Sequence, residues 1–153
     1  MNMPASARKA SPQQKGSSTG SVQYINPDGM LKNPGFTQVV AASGPVTTVY
    51  VGAQTPVDAN GTLIGKGDIA AQTLQVLSNV ETCLRAAGAG PENIVHWNIY
   101  VVKDPAIQAA FEASMRWWGS RPNPPANSVM FVAGFPWLPE VLIAIDAVAV
   151  VPL

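Results

Sequence analysis

The chain is poor in the residues that most often announce chemistry. Its 153 residues hold one cysteine, Cys83, and one histidine, His96. A single cysteine excludes an internal disulfide and a Cys-rich metal site, and a single histidine excludes a His-rich one. Charge is scarce as well: 12% of residues are charged, nine bases against nine acids. A neutral chain argues against a strongly electrostatic partner such as duplex DNA. No apolar run reaches the ~18 residues of a membrane span. The glycine-rich phosphate loops, the HExxH helix, the CxxC pair and the GxSxG elbow are all missing.

What is present is apolar substance, 47% of the chain, enough for one sizeable core at a length that suits one domain. So little charge leaves much of the surface bare, a pattern that favours subunits covering one another. The charges are also uneven. Arg8, Lys9 and Lys15 precede residue 20 with no acid among them, and the remainder holds six bases and nine acids, a net of −3. Residues 1–20, rich in Ser, Gln, Gly and Pro, show no apolar periodicity and read as a disordered arm. They lack the apolar stretch of a signal peptide. With Cys83 unpaired, cytoplasm is the expected location.

Residues 21–153 read as one α+β domain. Thr37–Ser43 and Val46–Gln54 have strand character and flank Gly44-Pro45, which suggests a hairpin. Ile69, Thr73, Val76, Leu77, Val80, Leu84 and Ala87 recur at helical spacing. Asp68 is placed to cap that helix and Gly88 to end it, with Gln72, Ser78, Glu81 and Arg85 toward water. Glu92–Val102 is a strand. Asp104-Pro105 reads as the start of a second helix that Gly119 stops. Ser128–Ala133 and Glu140–Val151 are the last strands. The final one is apolar on both faces except at Asp146, which implies cover on both sides. Two helices suffice for one face of the sheet, so a second copy of the chain is expected on the other.

His96 reads as a sheet or interface histidine and Cys83 as helix packing. Asp146 within LIAIDAVAVV must be paired, exposed at an interface, or shifted in pKa. Trp117, Trp118 and Trp137 either wall a cleft or pack a core.

Four stretches together resemble the RidA family, also called YjgF or L-PSP endoribonuclease-like. They are Gly35-Phe36-Thr37-Gln38-Val39-Val40; Val49 to Asp58 with Gly61; Gln72 and Asn79 followed by Leu84 and Ala87-Gly88; and Pro125-Ala126-Asn127-Ser128 with the ending Val141 to Val150. The resemblance implies a chorismate-mutase-like α+β fold, a mixed sheet with two helices on one face. It also implies a homotrimer with a barrel-like core and clefts between subunits. The implied activity is hydrolysis of small enamines and imines to a ketoacid and ammonia, without metal or cofactor. In active relatives an Arg clamps the substrate carboxylate, a Glu handles the attacking water, and a Tyr, a Ser and backbone groups complete the cleft.

This chain departs from that equipment. Asn127 stands at the clamp position, which lowers the grip on a carboxylate by about 2–4 kcal/mol in a dry site. Ala144 matches the Glu, with Asp146 two residues on and on the same face. Phe36 replaces the Tyr and Gly52 the Ser. The resemblance thus implies a divergent hydrolase acting on a less acidic small metabolite. Asn127 would orient a carbonyl or amide, and Asp146 would act through a water. Backbone near Gly52 and Val129 would hold that water, while Phe36 and Trp137 supply apolar contact. The alternative is a trimer of the same fold that binds a small molecule or a protein without catalysis. Ribonuclease action is disfavoured by the net acidity of the ordered part.

Overall fold

The computed structural model describes residues 19–153. Most of the arm, residues 1–18, lies outside the described residues. Gly20 is already tied in: its N–H donates to the carbonyl of Leu153 at 3.0 Å, and the Leu153 N–H donates to Pro45 O at 3.0 Å.

The element order is β1 (Ser21–Ile25), β2 (Val39–Ser43), β3 (Val46–Gln54), α1 (Ile69–Ala86), β4 (Ile94–Val102), α2 (Ile107–Trp118), β5 (Ala126–Val132) and β6 (Ile143–Pro152). A single 3-10 turn, Pro91–Asn93, leads into β4. The main sheet has the order β3-β6-β4-β5. β6 lies antiparallel to both β3 and β4, while β4 and β5 run parallel. The chain is therefore α+β with a mixed sheet, as expected, and α1 packs on β3, β6 and α2.

Three local expectations are corrected. The β2–β3 hairpin does not form: β2 pairs with β1, with Ser21 opposite Ser43, and β3 pairs with β6. A two-residue type I′ turn needs positive φ at both positions, and the ring of Pro45 holds φ negative. The chain bends at Gly44-Pro45 instead of reversing. The partner strand β1, with only five residues, went unrecognised in the sequence. Helix α2 also begins later than expected. Asp104 does not cap it but makes a turn just before it, its Oδ1 accepting the Ala106 N–H at 2.6 Å. Ala106 is the capping residue.

The third correction concerns α1. Asp68 caps it as expected, its side chain accepting the Ala71 N–H at 3.0 Å. The buried stripe Ile69, Thr73, Val76, Leu77, Val80 and Leu84 follows the 3.6-residue period, each large apolar side chain contributing about 1.5–3 kcal/mol. Gln72, however, faces inward and is 0% exposed. Its Nε2 donates to Gly65 O at 3.2 Å and Glu140 O at 3.0 Å, and its Oε1 accepts the Leu142 N–H at 2.7 Å. A buried amide with every partner supplied joins α1 to the segment leading into β6. Asn79 serves two turns further along, donating to Thr55 O at 3.0 Å and Val57 O at 2.8 Å.

Candidate functional site

A cavity of about 330 Å³ opens between the helix-facing side of β4 and β5, helix α2 and the segment Asn33–Phe36. It lies at the small end of small-molecule sites. Strand alternation builds its floor: Trp97, Ile99 and Val101 project from β4, with Asn127 and Val129 beside them on β5. Ile107, Phe111, Ser114 and Met115 form the α2 wall. Phe36 closes a third side. Its segment is pinned by the buried Thr37, whose N–H donates to Pro125 O at 3.2 Å and whose Oγ1 donates to Pro124 O at 2.6 Å. Those prolines immediately precede β5, so the Phe36 segment and Asn127 are held together.

No ionisable side chain of the described residues lines this cavity. Its polar groups are few, and some are already engaged. Asn33 Oδ1 accepts the Gly35 N–H at 2.7 Å, and Ser114 Oγ donates to Ala110 O at 3.0 Å. The indole N–H of Trp97, a residue 6% exposed, is buried without a partner among the described residues. Such an orphan costs about 1–3 kcal/mol. The ring itself is fixed by its neighbours, with Trp118 edge-on at 5.8 Å and Trp117 tilted at 6.4 Å between centroids. The two tryptophans at the end of α2 thus pack against Trp97 rather than standing free. The nearby cation, Arg121, is occupied elsewhere. Its guanidinium lies 5.1 Å over the Trp117 ring and donates to the carbonyls of Trp117 and Trp118, closing the C-terminus of α2.

The other residues singled out in the sequence lie away from this cavity. Asp146 is on the opposite face of the sheet. Its Oδ1 accepts from Asn98 Nδ2 at 3.0 Å and its Oδ2 from the Tyr100 hydroxyl at 2.8 Å. Of the options open to this carboxylate in the sequence, pairing is the one observed, and its partners are neutral. Ala144 shares that face, opposite Tyr100, and is 1% exposed. Gly52 lies on β3 at a break in register between Val51 and Gln54, its carbonyl accepting from Gln54 Nε2 at 3.0 Å. Trp137 stands on the β5–β6 loop with φ 68° and is 96% exposed. Strands sit ~4.8 Å apart. β3 and β5 are the two edges of the sheet, so Gly52 and Asn127 are about 14 Å apart across it. Within one chain they cannot grip the same small molecule.

The bond to Asp146 has a measurable consequence. Donating to a carboxylate holds the Tyr100 phenol above its ordinary pKa, with partial burial and the charge of Asp146 adding to the effect. The raised group contributes stability below the unfolded value of ~10, and that contribution is lost as pH rises through the folded value. The phenolate absorbance assigned by difference from Tyr100→Phe should therefore titrate above ~10. In Asp146→Ala it should fall back toward ~10. An unchanged midpoint in that variant would contradict the assignment. The difference spectrum is needed because burial also raises Tyr24.

The family model described as Endoribonuclease L-PSP matches residues 32–151. This chain belongs to that family, the RidA/YjgF proteins. A RutC family protein of Synechocystis sp. is 34% identical to this RidA-family chain over 118 residues, 76% of this chain and 86% of the relative. The crystal structure of YyfB from Yersinia pestis, a Rid-family protein of unknown function, is 37% identical with a TM-score of 0.74. It covers 85% of this chain and 98% of its own. The YjgF gene product of E. coli is 28% identical with a TM-score of 0.60, covering 67% and 80%. The YjgF-like fold is thereby established, and no helix among the described residues is long and apolar enough to cross a membrane.

In this RidA-family chain the structure brings Phe36, Asn127 and Val129 to one cavity. It leaves Gly52, Trp137, Ala144 and Asp146 outside that cavity. Sequence reasoning missed Trp97, Phe111 and Ser114. Trp97 was visible as a bulky residue in VHWNI, but nothing local marks which face of β4 the helices cover.

Proposed function

We propose that this RidA-family chain binds a small uncharged metabolite in the cavity beneath α2. The observation that carries this reading is the lining itself: apolar and aromatic walls, a carboxamide at Asn127, and no ionisable side chain of the described residues. A carboxylate ligand would lose its water there and gain no opposite charge. The separation of Gly52 and Asn127 to opposite sheet edges supports a cyclic homotrimer, in which the β3 edge of one copy approaches the β5 edge of the next. The cytoplasm, where Cys83 remains a thiol, suits such an assembly.

Hydrolysis of a small enamine or imine is the second reading, favoured by family membership. It requires the water-handling group to reach the cavity from a neighbouring copy, since Asp146 is engaged on the far face. The ribonuclease activity named in the family description gains no support from an apolar, uncharged cavity.

The test is a titration of the intact protein with matched pairs of neutral and carboxylate-bearing compounds. The neutral member of each pair should bind better, and Asn127→Arg should invert the preference by roughly tenfold or more, the worth of one charge-assisted pair. Carboxylates binding better to the unaltered protein would refute the reading. Ammonia release from an enamine generated in situ separates catalysis from binding. The same preparation should sediment as three chains of 16.0 kDa; a single-chain mass would remove the shared cleft.

A further inference from the structure

The cavity beneath α2 is not uniform along its length. After β4 the chain enters α2 through residues 103–106, and the last residue of that helix, Trp118, stands edge-on to Trp97 at 5.8 Å. The helix therefore runs back along β4, with Ile107 at the Val101 end and Trp118 at the Trp97 end. Ile107, Phe111 and Ser114 line the cavity at helical spacing, which makes them one wall about 10 Å long. The polar side chains of the lining gather at the Ser114 end. Asn127 is the register partner of Trp97, and Asn33 belongs to the segment that Thr37 ties to Pro124 and Pro125 just ahead of β5. Asn33 and Ser114 are already bonded, whereas no hydrogen bond among the described residues engages the Asn127 carboxamide. Beyond Ser114 the lining is apolar, with Phe111 and Ile107 on the helix and Ile99 and Val129 on the sheet. This apolar half is open to a ligand: Phe111 is 55% exposed and Val129 58%, and Ile99 and Ile107 are half-buried.

We propose that the cavity selects an elongated amphiphile, with an uncharged hydroxyl or carbonyl head at the Asn127 end and an unbranched apolar tail laid along α2 toward Ile107. This rests on the reading of the cavity as a site for an uncharged molecule, and adds the length and the orientation of that molecule. A carboxamide both donates and accepts, so it pairs with either kind of head. A head at the Ile107 end would lose its water and find no partner, which fixes the direction of the ligand. Each methylene of the tail removes its own surface and that of Phe111, Ile99 or Val129 from water. The gain lasts only while there is wall to cover. Ile107 is the first residue of α2, so the helical wall ends there. That position makes Ile107 the residue that sets the tail length. A compact ligand held at Asn127 would leave water standing against the apolar half.

The experiment is calorimetric titration of the full-length protein with butanol, hexanol, octanol, decanol and octanoate. Each methylene from butanol to octanol should tighten binding by about two- to fourfold, and decanol should gain less than about twofold over octanol. Ile107→Trp fills the far end of the wall. It should weaken octanol by roughly tenfold and butanol far less, which moves the plateau to shorter alcohols. If that variant fails to fold, Phe111→Ala, at an exposed position, serves in its place and should also weaken octanol more than butanol. Affinities that do not depend on chain length overturn the amphiphile and leave the uncharged-cavity reading standing. So does a gain that continues undiminished through decanol, or an equal loss for both alcohols in the variant that folds. Tighter binding of octanoate than of octanol, or no binding of any alcohol, overturns both.

Discussion

Gln72→Leu should lower the unfolding free energy by about 3 kcal/mol. The leucine nearly fills the same volume, so the loss comes from hydrogen bonds rather than from a cavity. The Leu142 N–H loses its acceptor at 2.7 Å, and the carbonyls of Gly65 and Glu140 lose the donor they share. A buried donor left alone costs about 1–3 kcal/mol, and carbonyls with a spare lone pair cost less each. The site is 0% exposed, so water does not substitute. Urea unfolding should show the midpoint falling with an unchanged slope. A loss below about 0.5 kcal/mol would mean that the amide is not the fastening described here. The effect also bears on the site, because the Gln72 contacts hold the approach to Ile143, which borders the cavity from β6.

The second large effect compares two glycines that share a backbone conformation and differ in surroundings. Gly61 has φ 79° and Gly65 has φ 72°. An alanine at either position meets the left-handed penalty of about 1–2 kcal/mol, offset in part by the stiffer unfolded chain. At Gly61 a new Cβ meets nothing within 4 Å. At Gly65 it would sit 2.8 Å from Ala71 Cβ and 2.9 Å from the backbone nitrogen of Gln72, in the first turn of α1. Backbone cannot yield there without breaking the Asp68 cap and the Gln72 contacts. Gly65→Ala should therefore cost about 3 kcal/mol or more, and Gly61→Ala about 1 kcal/mol. Thermal unfolding of the two variants side by side checks this. Equal losses would show that conformation alone, and not the overlap with α1, sets the cost.

Much of the architecture was legible because it depends on local repetition. The stripe from Ile69 to Leu84 marks α1 and its buried face, and Asp68 marks its start. The β-branched runs mark β3, β4 and β6. Gln72 was misplaced for a physical reason. An amide is polar in any window of sequence, and only its three backbone partners, seven residues and about seventy residues away, make its burial favourable. β1 was missed because five residues of alternation are too short to stand out, and residues 26–38 separate it from its partner β2.

The sequence by itself determined an α+β fold poor in charged side chains, and that Ala144 and Asp146 share a strand face. Those statements rest on residue chemistry and on the two-residue period of a strand, which every segment carries within itself. Only the tertiary structure decided which residues meet across strands. Trp97 lies opposite Asn127 on one side and opposite Ala147 on the other, so Asn127 faces the helices while Asp146, one residue away from Ala147, turns to the far side. That division is set by the register of pairing between strands distant in the chain. A shift of one residue would reverse every face, and nothing within a single strand specifies it.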